Sequence, residues 1–340
     1  MSTLDSLFEP HYINKGFPET VRSASPVLVT KDGFVVDRFG RNDCSFHSGY
    51  VSLSRELTRR AILLPLRYGV NLSVFSKDLL IFENSWSGGY YHWLIEALPR
   101  LISLRDRFGK TVLAFSGRSP NPWFNKWLKD ISSDCMINYS GRGGVLASSA
   151  IFCQNPKRMS TYHSGQLHDA AKYLKETLRQ YCSDGSSIKK IYITRRTAGH
   201  RKFVNEDVAE SYFKLRGYVS FELERLSFPE QVLLFSNATH VASIHGAGLS
   251  NIIFMQPGAS VIEMIQQPHI ERTWGSRRGT HLLNPCFRGL ADVFNLNYFA
   301  VLKKPCLLGD NLKTKNKYGL LHSDLIFNGR LVDEFASDYI

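Results

Sequence analysis

Short apolar runs alternate with amphipathic stretches through the second half of the chain. The stretch 205–216 has apolar residues at helical spacing, with Asn205 as its predicted N-cap and Gly217 as its end. The stretch 229–237 predicts a second helix, capped by Ser227. Such alternation of strands and helices predicts a parallel sheet in an α/β domain of the nucleotide-binding kind. The predicted strands of this half are Lys190–Thr194, Tyr218–Leu223, Thr239–Ile244 and Ser260–Ile265.

The first half has a less regular pattern. A long stretch with helical spacing predicts a helix from Tyr90 to about Phe108, and Pro99 inside it predicts a kink. The other predicted strands are 27–30, 34–36, 61–66, 79–82, 111–115 and two within 136–155, and the other predicted helices are 123–130 and 166–181.

The length of 340 residues suits two domains rather than one. A polar break at 183–187 is the predicted linker, which places one domain at 1–182 and a second at 188–304. Residues 305–340 show no domain of their own, and we expect them to pack back on the two domains.

The most informative segment joins a predicted strand to a short helix and contains His245, Gly246, Gly248 and Asn251. The two glycines would let the backbone adopt a positive φ and approach a ligand closely. The N–H groups that open the helix suit a phosphate. A tight turn without a ligand explains the same residues equally well.

Two arginines, Arg195 and Arg196, follow the predicted strand 190–194, at the end where open α/β sheets bind ligands. A guanidinium group matches the oxygens of a diphosphate with two hydrogen bonds. Adjacent residues on an extended segment face opposite ways, so we expect only one of the two to touch a ligand. The alternative is a solvated basic loop.

His92 and Glu96 stand four residues apart near the start of the predicted helix, and therefore share a face. A histidine and a carboxylate placed together can form a general base. Alternatively, His92 caps the turn and Glu96 pairs with Arg100. A further carboxylate, Glu263, is expected to end its strand and to accept ribose hydroxyls, unless it is an ordinary exposed strand end.

The net charge of +12 favours an anionic partner without choosing among nucleotides, acidic glycans, membranes and nucleic acids. No Asp-x-Asp triplet occurs, so arginines and a helix N-terminus are better placed than a metal to hold a diphosphate. The six scattered cysteines suit a reducing compartment, and neither a leader peptide nor a run of about 18 apolar residues is visible. We therefore expect a cytoplasmic protein, with a peripheral contact of basic residues at the inner face of the cell membrane.

These segments, in this order, resemble glycosyltransferase family 61, and in particular its bacterial branch that serves capsule or surface polysaccharide synthesis. The likeness covers about residues 80–265. It is carried by GYYHWLIEALPR at 89–100, YITRR at 192–196, NE at 205–206, LSFPEQ at 226–231, HGAGLSN at 245–251 and PGASVIE at 257–263.

The resemblance implies an α/β protein of GT-B type, with two Rossmann-like domains facing each other. It also implies an inverting transfer from a nucleotide sugar, usually a UDP-sugar, to an oligosaccharide, polysaccharide or lipid-linked glycan acceptor. Neither a metal nor another cofactor is expected, and no nucleic-acid partner. The domain at 1–182 would serve the acceptor and the domain at 188–304 the donor.

The resemblance also assigns roles to residues. Glu96, where relatives often carry Asp, is the candidate catalytic base, assisted by His92. The predicted donor-binding residues are Arg195, Arg196, His245, Gly246, Gly248, Asn251 and Glu263. The alternative from another class is a non-catalytic protein that binds a polyanion, a nucleic acid or a carbohydrate. Steep salt dependence of polynucleotide binding would favour that alternative.

Overall fold

The computed structural model separates the chain into two compact units. We call Asn14–Thr177 the N-terminal unit and Leu178–Ile340, together with Met1–Ile13, the C-terminal unit. The turns at 31–33 and 141–144, the strand at 61–66 and most of the linker at 183–187 lie outside the described residues. The structure describes residues 8, 10–22, 27–29, 35–37, 73–83, 87–108, 113–116, 122–132, 137–139, 145–153, 160–182, 187–266, 283–303 and 324–336.

The N-terminal unit contains a seven-stranded sheet with the order β4-β3-β8-β5-β6-β7, in which β2 also pairs with β8. The pairs β8-β5, β5-β6 and β6-β7 are parallel, whereas β2, β3 and β4 join antiparallel. Its centre is apolar, since Leu79, Ile81 and Phe152 are almost fully buried. The strands up to this point of the chain are β1 (Tyr12–Asn14), β2 (Thr20–Arg22), β3 (Val27–Val29), β4 (Val35–Asp37), β5 (Ser73–Ile81), β6 (Leu113–Ser116), β7 (Ile137–Tyr139), β8 (Val145–Cys153) and β9 (Thr161–His163).

The predicted kinked helix at 90–108 contains a π-helical turn instead of a simple kink. α1 (Tyr90–His92) leads into the π turn Trp93–Ala97, which continues as α2 (Leu98–Phe108). Pro99 has no N–H for the carbonyl of Ile95, and the N–H of Leu98 bonds the carbonyl of Trp93 five residues back. The two other helices here are α3 (Pro122–Ser132) and α4 (Ser164–Leu178), which a 3₁₀ turn (Arg179–Tyr181) follows.

The C-terminal unit is built on a five-stranded, fully parallel sheet with the order β11-β10-β12-β13-β14. This is a doubly wound order, and its direction reverses between β10 and β12. Open α/β sheets bind ligands at such a reversal, beyond the carboxyl ends of the strands. The predicted parallel sheet is confirmed. Its strands are β10 (Lys190–Ile193), β11 (Val219–Phe221), β12 (His240–Ile244), β13 (Ser260–Gln266) and β14 (Asn297–Lys303).

Local sequence signals set the helix ends in this unit. Ser227 and Glu230 form the predicted capping box, and Gly217 ends its helix with a φ of +81°. Asn205 occupies the N-cap position, but its side chain bonds the backbone of Phe327 rather than the helix. The helices are α5 (Glu206–Lys214), α6 (Phe228–Asn237), α7 (Cys286–Val293) and α8 (Gly329–Ala336), with 3₁₀ segments at Leu223–Arg225 and Ala247–Phe254.

The two chain ends complete the core of the C-terminal unit. Val332 of α8 is fully buried in one cluster with Tyr192 and Phe213. At the other end, Phe8 packs in a cluster with Ile265. No helix among the described ranges has the length and apolar character that crossing a bilayer requires.

Candidate functional site

The paired strands β10 and β12 bring two of the predicted segments to the sheet reversal. Ile193 lies opposite Ser243 in this pair, so Arg195 and His245 each lie two residues beyond these paired positions. Because parallel strands end at the same edge, the arginine segment and the glycine turn lie side by side. The position is the one at which this sheet topology binds ligands.

Arg195 and Arg196 have different surroundings. Arg196 is exposed, and its Nη2 lies 2.5 Å from Asp207 Oδ1 and 2.9 Å from Glu210 Oε2, both on α5. Arg195 is half-buried, and its Nε donates to the carbonyl of Arg201 over 2.8 Å. Burial lowers the pKa of Arg195. Arg195 therefore belongs to the sheet reversal, whereas Arg196 is engaged with α5.

Arg201 is a second arginine of this loop that sequence reasoning did not single out. Its backbone lies in the left-handed region with a φ of +55°, a conformation that costs free energy for a residue with a side chain. Its Nε atom is buried and has no hydrogen-bond partner among the described residues. Burial, and next the charge of Arg195, lower the pKa of Arg201 to about 10.

The two guanidinium groups thus form a partly desolvated positive site. Within the part of the chain that the structure describes, no carboxylate lies at ion-pair distance from Arg195 or Arg201. Two neighbouring cations repel each other, which raises the free energy of the folded protein. An anion bound between them would offset this repulsion. The arrangement is suited to a diphosphate, whose oxygens accept from guanidinium N–H groups.

The loop that carries these arginines is anchored at its far end by Glu206. This buried carboxylate accepts from Tyr192 (2.7 Å), from Thr194 (2.8 Å) and from the backbone N–H of Phe203 (3.2 Å). The backbone N–H of Lys202 in addition donates to Asp324 over 3.1 Å. Buried networks of this kind hold a loop in one conformation.

The expectation that the two glycines of the turn adopt a positive φ is wrong. A glycine is needed at each of these positions because a side chain would collide with a neighbour. Gly246 is extended with a φ of −174°, and Gly248 is not among the described glycines with positive φ. A Cβ atom at position 246 would overlap Nη1 of Arg195, and one at position 248 would lie 2.9 Å from Leu223 Cδ1. Gly246 thus leaves the space that the Arg195 guanidinium occupies.

This close approach predicts that Gly246→Ala weakens nucleoside diphosphate binding. The added methyl group displaces the Arg195 guanidinium, and loss of one charge-assisted hydrogen bond corresponds to an affinity loss of about tenfold or more. Isothermal titration calorimetry with UDP measures this loss of affinity. Gly199→Ala is the matched control, because its Cβ would meet nothing within 4 Å. Equal affinities of the two variants would contradict this role of Gly246.

Glu263 lies inside β13, which continues to Gln266, so the expectation that it ends its strand is wrong. Its side chain is 1% exposed and is engaged at both oxygens, one with Nδ1 of His245 and the other with the hydroxyl of Tyr298. Tyr298, on β14, was not foreseen from the sequence. The buried carboxylate is therefore occupied by protein donors.

Asn251 is fully buried and serves the shape of the turn. Its Nδ2 donates to Gln231 Oε1 over 3.0 Å and to the carbonyl of Gly248 over 3.1 Å. The predicted helix is the 3₁₀ segment Ala247–Phe254, and the turn before it is held in place by this amide.

α7 also begins beside these residues. The ring of Phe287 lies 5.1 Å from the ring of His245. Cys286 is buried, and burial of its thiol, followed by the charge of Glu263, raises its pKa well above the usual value. Cys286 is therefore a protonated thiol that closes one side of the cluster.

The N-terminal unit holds the other predicted pair. His92 ends α1 and Glu96 lies in the π turn, with 3.1 Å between Nδ1 and Oε2. About a quarter of each side chain is exposed, at 27% and 24%. π turns inside helices occur frequently at functional sites, because the extra residue changes the direction of the side chains. The two side chains thus lie at ion-pair distance from each other, and both are partly exposed to solvent.

Aromatic residues surround this pair. Tyr91 packs edge to face on His92, with ring centres 5.2 Å apart, and its hydroxyl lies 3.2 Å from that of Tyr162. Tyr90 stacks on the buried ring of Trp93 with centres 6.2 Å apart. Rings and hydroxyls near a solvent-accessible carboxylate are groups that can contact a sugar.

The strand order and the sheet reversal define the C-terminal unit as a doubly wound α/β unit. The family model of Glycosyltransferase 61 matches residues 90–262, just over half of the chain. The chain therefore belongs to glycosyltransferase family 61, whose reaction is the transfer of a sugar from a donor to a glycan acceptor. Among curated proteins, none matches the chain.

Proposed function

We propose that the protein is an inverting glycosyltransferase whose C-terminal unit binds the diphosphate of a nucleotide sugar. The observation that carries this proposal is the pair of arginines, Arg195 and Arg201, beside the Gly246–Gly248 turn at the sheet reversal. No carboxylate of the described residues lies at ion-pair distance from either of them. Positive groups preorganised around a leaving group stabilise the charge that grows on it. Arg196, Asn251 and Glu263 are engaged with protein partners, so the proposal assigns the diphosphate to Arg195 and Arg201 and gives those three no direct contact with the donor.

The proposal assigns the proton transfer to the N-terminal unit. Glu96 takes the proton of the acceptor hydroxyl, and His92 orients its carboxylate. The acceptor oxygen forms a bond to the anomeric carbon while the bond from that carbon to the diphosphate breaks. Direct displacement of this kind inverts the anomeric configuration. The GT-B arrangement implied by the resemblance stays a prediction.

The proposed donor is a UDP-sugar, and the acceptor is a growing oligosaccharide, polysaccharide or lipid-linked glycan of the cell surface, such as capsule. The proposed mechanism is metal-independent. Two arginines can neutralise a diphosphate, which is the charge that a divalent cation would otherwise meet. The described residues contain no cluster of three His, Cys, Asp or Glu side chains that could hold a metal ion.

The test is donor turnover by the purified full chain with a panel of nucleotide sugars, with and without EDTA. We expect free UDP to appear from one UDP-sugar at a rate that EDTA leaves unchanged. Activity lost with EDTA and restored by a divalent cation would refute the metal-free mechanism. If the chain neither bound UDP nor released it from any donor, the proposed donor site would be wrong.

A further inference from the structure

His245 has two ring nitrogens with different surroundings. Nδ1 contacts the carboxylate of Glu263, whereas Nε2 makes no hydrogen bond to any residue that the structure describes. The side chain of His245 is 19% exposed and that of Glu263 only 1%. Nδ1 and Nε2 are separated by Cε1 and point in different directions, so Nε2 is not directed at the carboxylate of Glu263.

The backbone of His245 is also fixed in place, next to the strand that carries Glu263. The N–H of His245 donates to the carbonyl of Met264 over 3.0 Å, which continues the pairing of β12 with β13 beyond Ile244. Glu263 is the neighbour of Met264 on β13, so the histidine and its carboxylate are positioned by the same pair of strands. The main-chain positions that bring the two side chains together are therefore fixed by the sheet.

Tyr298 determines the direction of the hydrogen bonds in the series Tyr298–Glu263–His245. Tyr298 is partly buried against the cluster of Phe8 and Ile265, and desolvation, then the charge of Glu263, raise the pKa of its phenol well above the usual value. The phenol therefore keeps its proton and donates it to one carboxylate oxygen. The other oxygen is left to accept from Nδ1–H of His245. A carboxylate that accepts from two donors is the arrangement that an ionised side chain needs when it is buried.

We infer that Tyr298 and Glu263 are positioning residues that hold His245 with its proton on Nδ1 and with Nε2 turned toward the nucleotide. This inference rests on the proposed donor site. A carboxylate behind a histidine fixes both the tautomer and the orientation of the ring. Glu263 thus acts on the donor through His245 and not by accepting ribose hydroxyls.

The experiment combines UDP titration with ¹⁵N spectra of the imidazoles, measured on the full chain at a pH where histidine is neutral. The spectra distinguish the two tautomers, and loss of one resonance in His245→Ala identifies His245 among the eleven histidines. We expect the wild-type resonance to report Nδ1–H. In Glu263→Gln the amide can donate to Nδ1, so we expect the Nε2–H tautomer to increase and UDP affinity to fall about tenfold.

A double-mutant design separates positioning from general destabilisation. If Glu263 and Tyr298 act through His245, then Glu263→Gln and Tyr298→Phe lower UDP affinity in the wild type and cause no further loss in His245→Ala. Additive losses would overturn the inference, as would an unchanged tautomer in Glu263→Gln. Should Glu263→Gln fail to fold, Tyr298→Phe with and without His245→Ala decides alone.

Tyr218→Phe is the matched control for the phenol. It removes a buried hydroxyl from the same unit, and that hydroxyl has no hydrogen-bond partner among the described residues. We expect UDP affinity to stay within about twofold of the wild type, which is the error of additivity for distant sites. If wild type bound no UDP, the donor site would be refuted, while the ¹⁵N spectra would still report whether Glu263 fixes the tautomer.

Discussion

Glu96→Gln is expected to lower the rate of glycosyl transfer by about 100- to 10,000-fold, the range that a positioned general base contributes. Glutamine has the size of glutamate and can still reach His92, but it cannot take a proton at neutral pH. The acceptor hydroxyl would then attack the anomeric carbon without losing its proton to the protein. Initial rates of UDP release, measured with the donor that the panel identifies and a saturating acceptor, give the effect.

Two further variants make this result specific. Asp106→Asn removes a carboxylate from the same helical segment, where Asp106 is 58% exposed and pairs with Arg105 at 2.7 Å. We expect a rate within about twofold of the wild type, because exposed ion pairs contribute little. Glu96→Asp keeps a carboxylate and should retain more activity than Glu96→Gln. If Glu96→Gln kept near-normal turnover, Glu96 would not be the base.

UDP affinity distinguishes loss of the base from loss of the fold. Glu96 lies in the N-terminal unit, and the residues proposed to hold the diphosphate lie in the C-terminal unit. We therefore expect Glu96→Gln to bind UDP as tightly as the wild type does. A variant that lost turnover and UDP affinity together would indicate a structural role for Glu96.

The order of strands and helices in the C-terminal unit could be predicted from the sequence, because the alternation of apolar runs and amphipathic stretches agreed with the fold. Ser227 and Glu230 formed the expected cap, and the apolar runs became a fully parallel sheet. The helix at 90–108 was also predicted, but its π turn was not. That turn depends on which carbonyl accepts the N–H of Leu98, and periodicity carries no such information.

The site was predictable only where chain neighbours determined it. The segments around Arg195 and His245 were singled out because each follows an apolar strand. Tyr298 was missed because it contacts Glu263 across 35 residues of chain, through the pairing of β13 with β14. Glu263 was misplaced for a related reason, since its burial depends on neighbouring strands on both sides and not on its own strand.

Arg201 shows a second kind of limit. It belongs to the same basic segment as Arg195 and Arg196, and nothing in the order of residues ranks the three. Their difference is tertiary, because Arg196 reaches two carboxylates of α5 and Arg201 reaches none among the described residues. The positive φ of Arg201 likewise depends on how the loop folds and could not be predicted from the residue type.

Arg201→Ala is expected to weaken UDP binding by about ten- to a hundredfold, since a charge-assisted hydrogen bond contributes about 1.5–3 kcal/mol. Arg196→Ala is the matched control, because it removes the same charge from the same loop after β10, a few residues earlier in the chain. We expect the Arg196 variant to stay within about twofold, since Arg196 is engaged with Asp207 and Glu210. Isothermal titration calorimetry with UDP measures the affinities of the two variants. Both are measured at one salt concentration, so that the screening of long-range electrostatic effects is equal.

The change in unfolding temperature of Arg201→Ala distinguishes a ligand-binding arginine from a structural one, because the two roles predict changes of opposite sign. Burial and Arg195 lower the pKa of Arg201, which means that its charge is unfavourable in the empty fold. Arg201→Ala should therefore leave the unfolding temperature unchanged or raise it, even though UDP binding weakens. Stability sacrificed for a ligand site is the usual trade-off at functional positions. If Arg201→Ala lowered the unfolding temperature, its loss of UDP affinity would be explained by a structural role of Arg201. If Arg196→Ala weakened UDP binding as much as Arg201→Ala, the diphosphate could not be assigned to Arg201 in preference to Arg196.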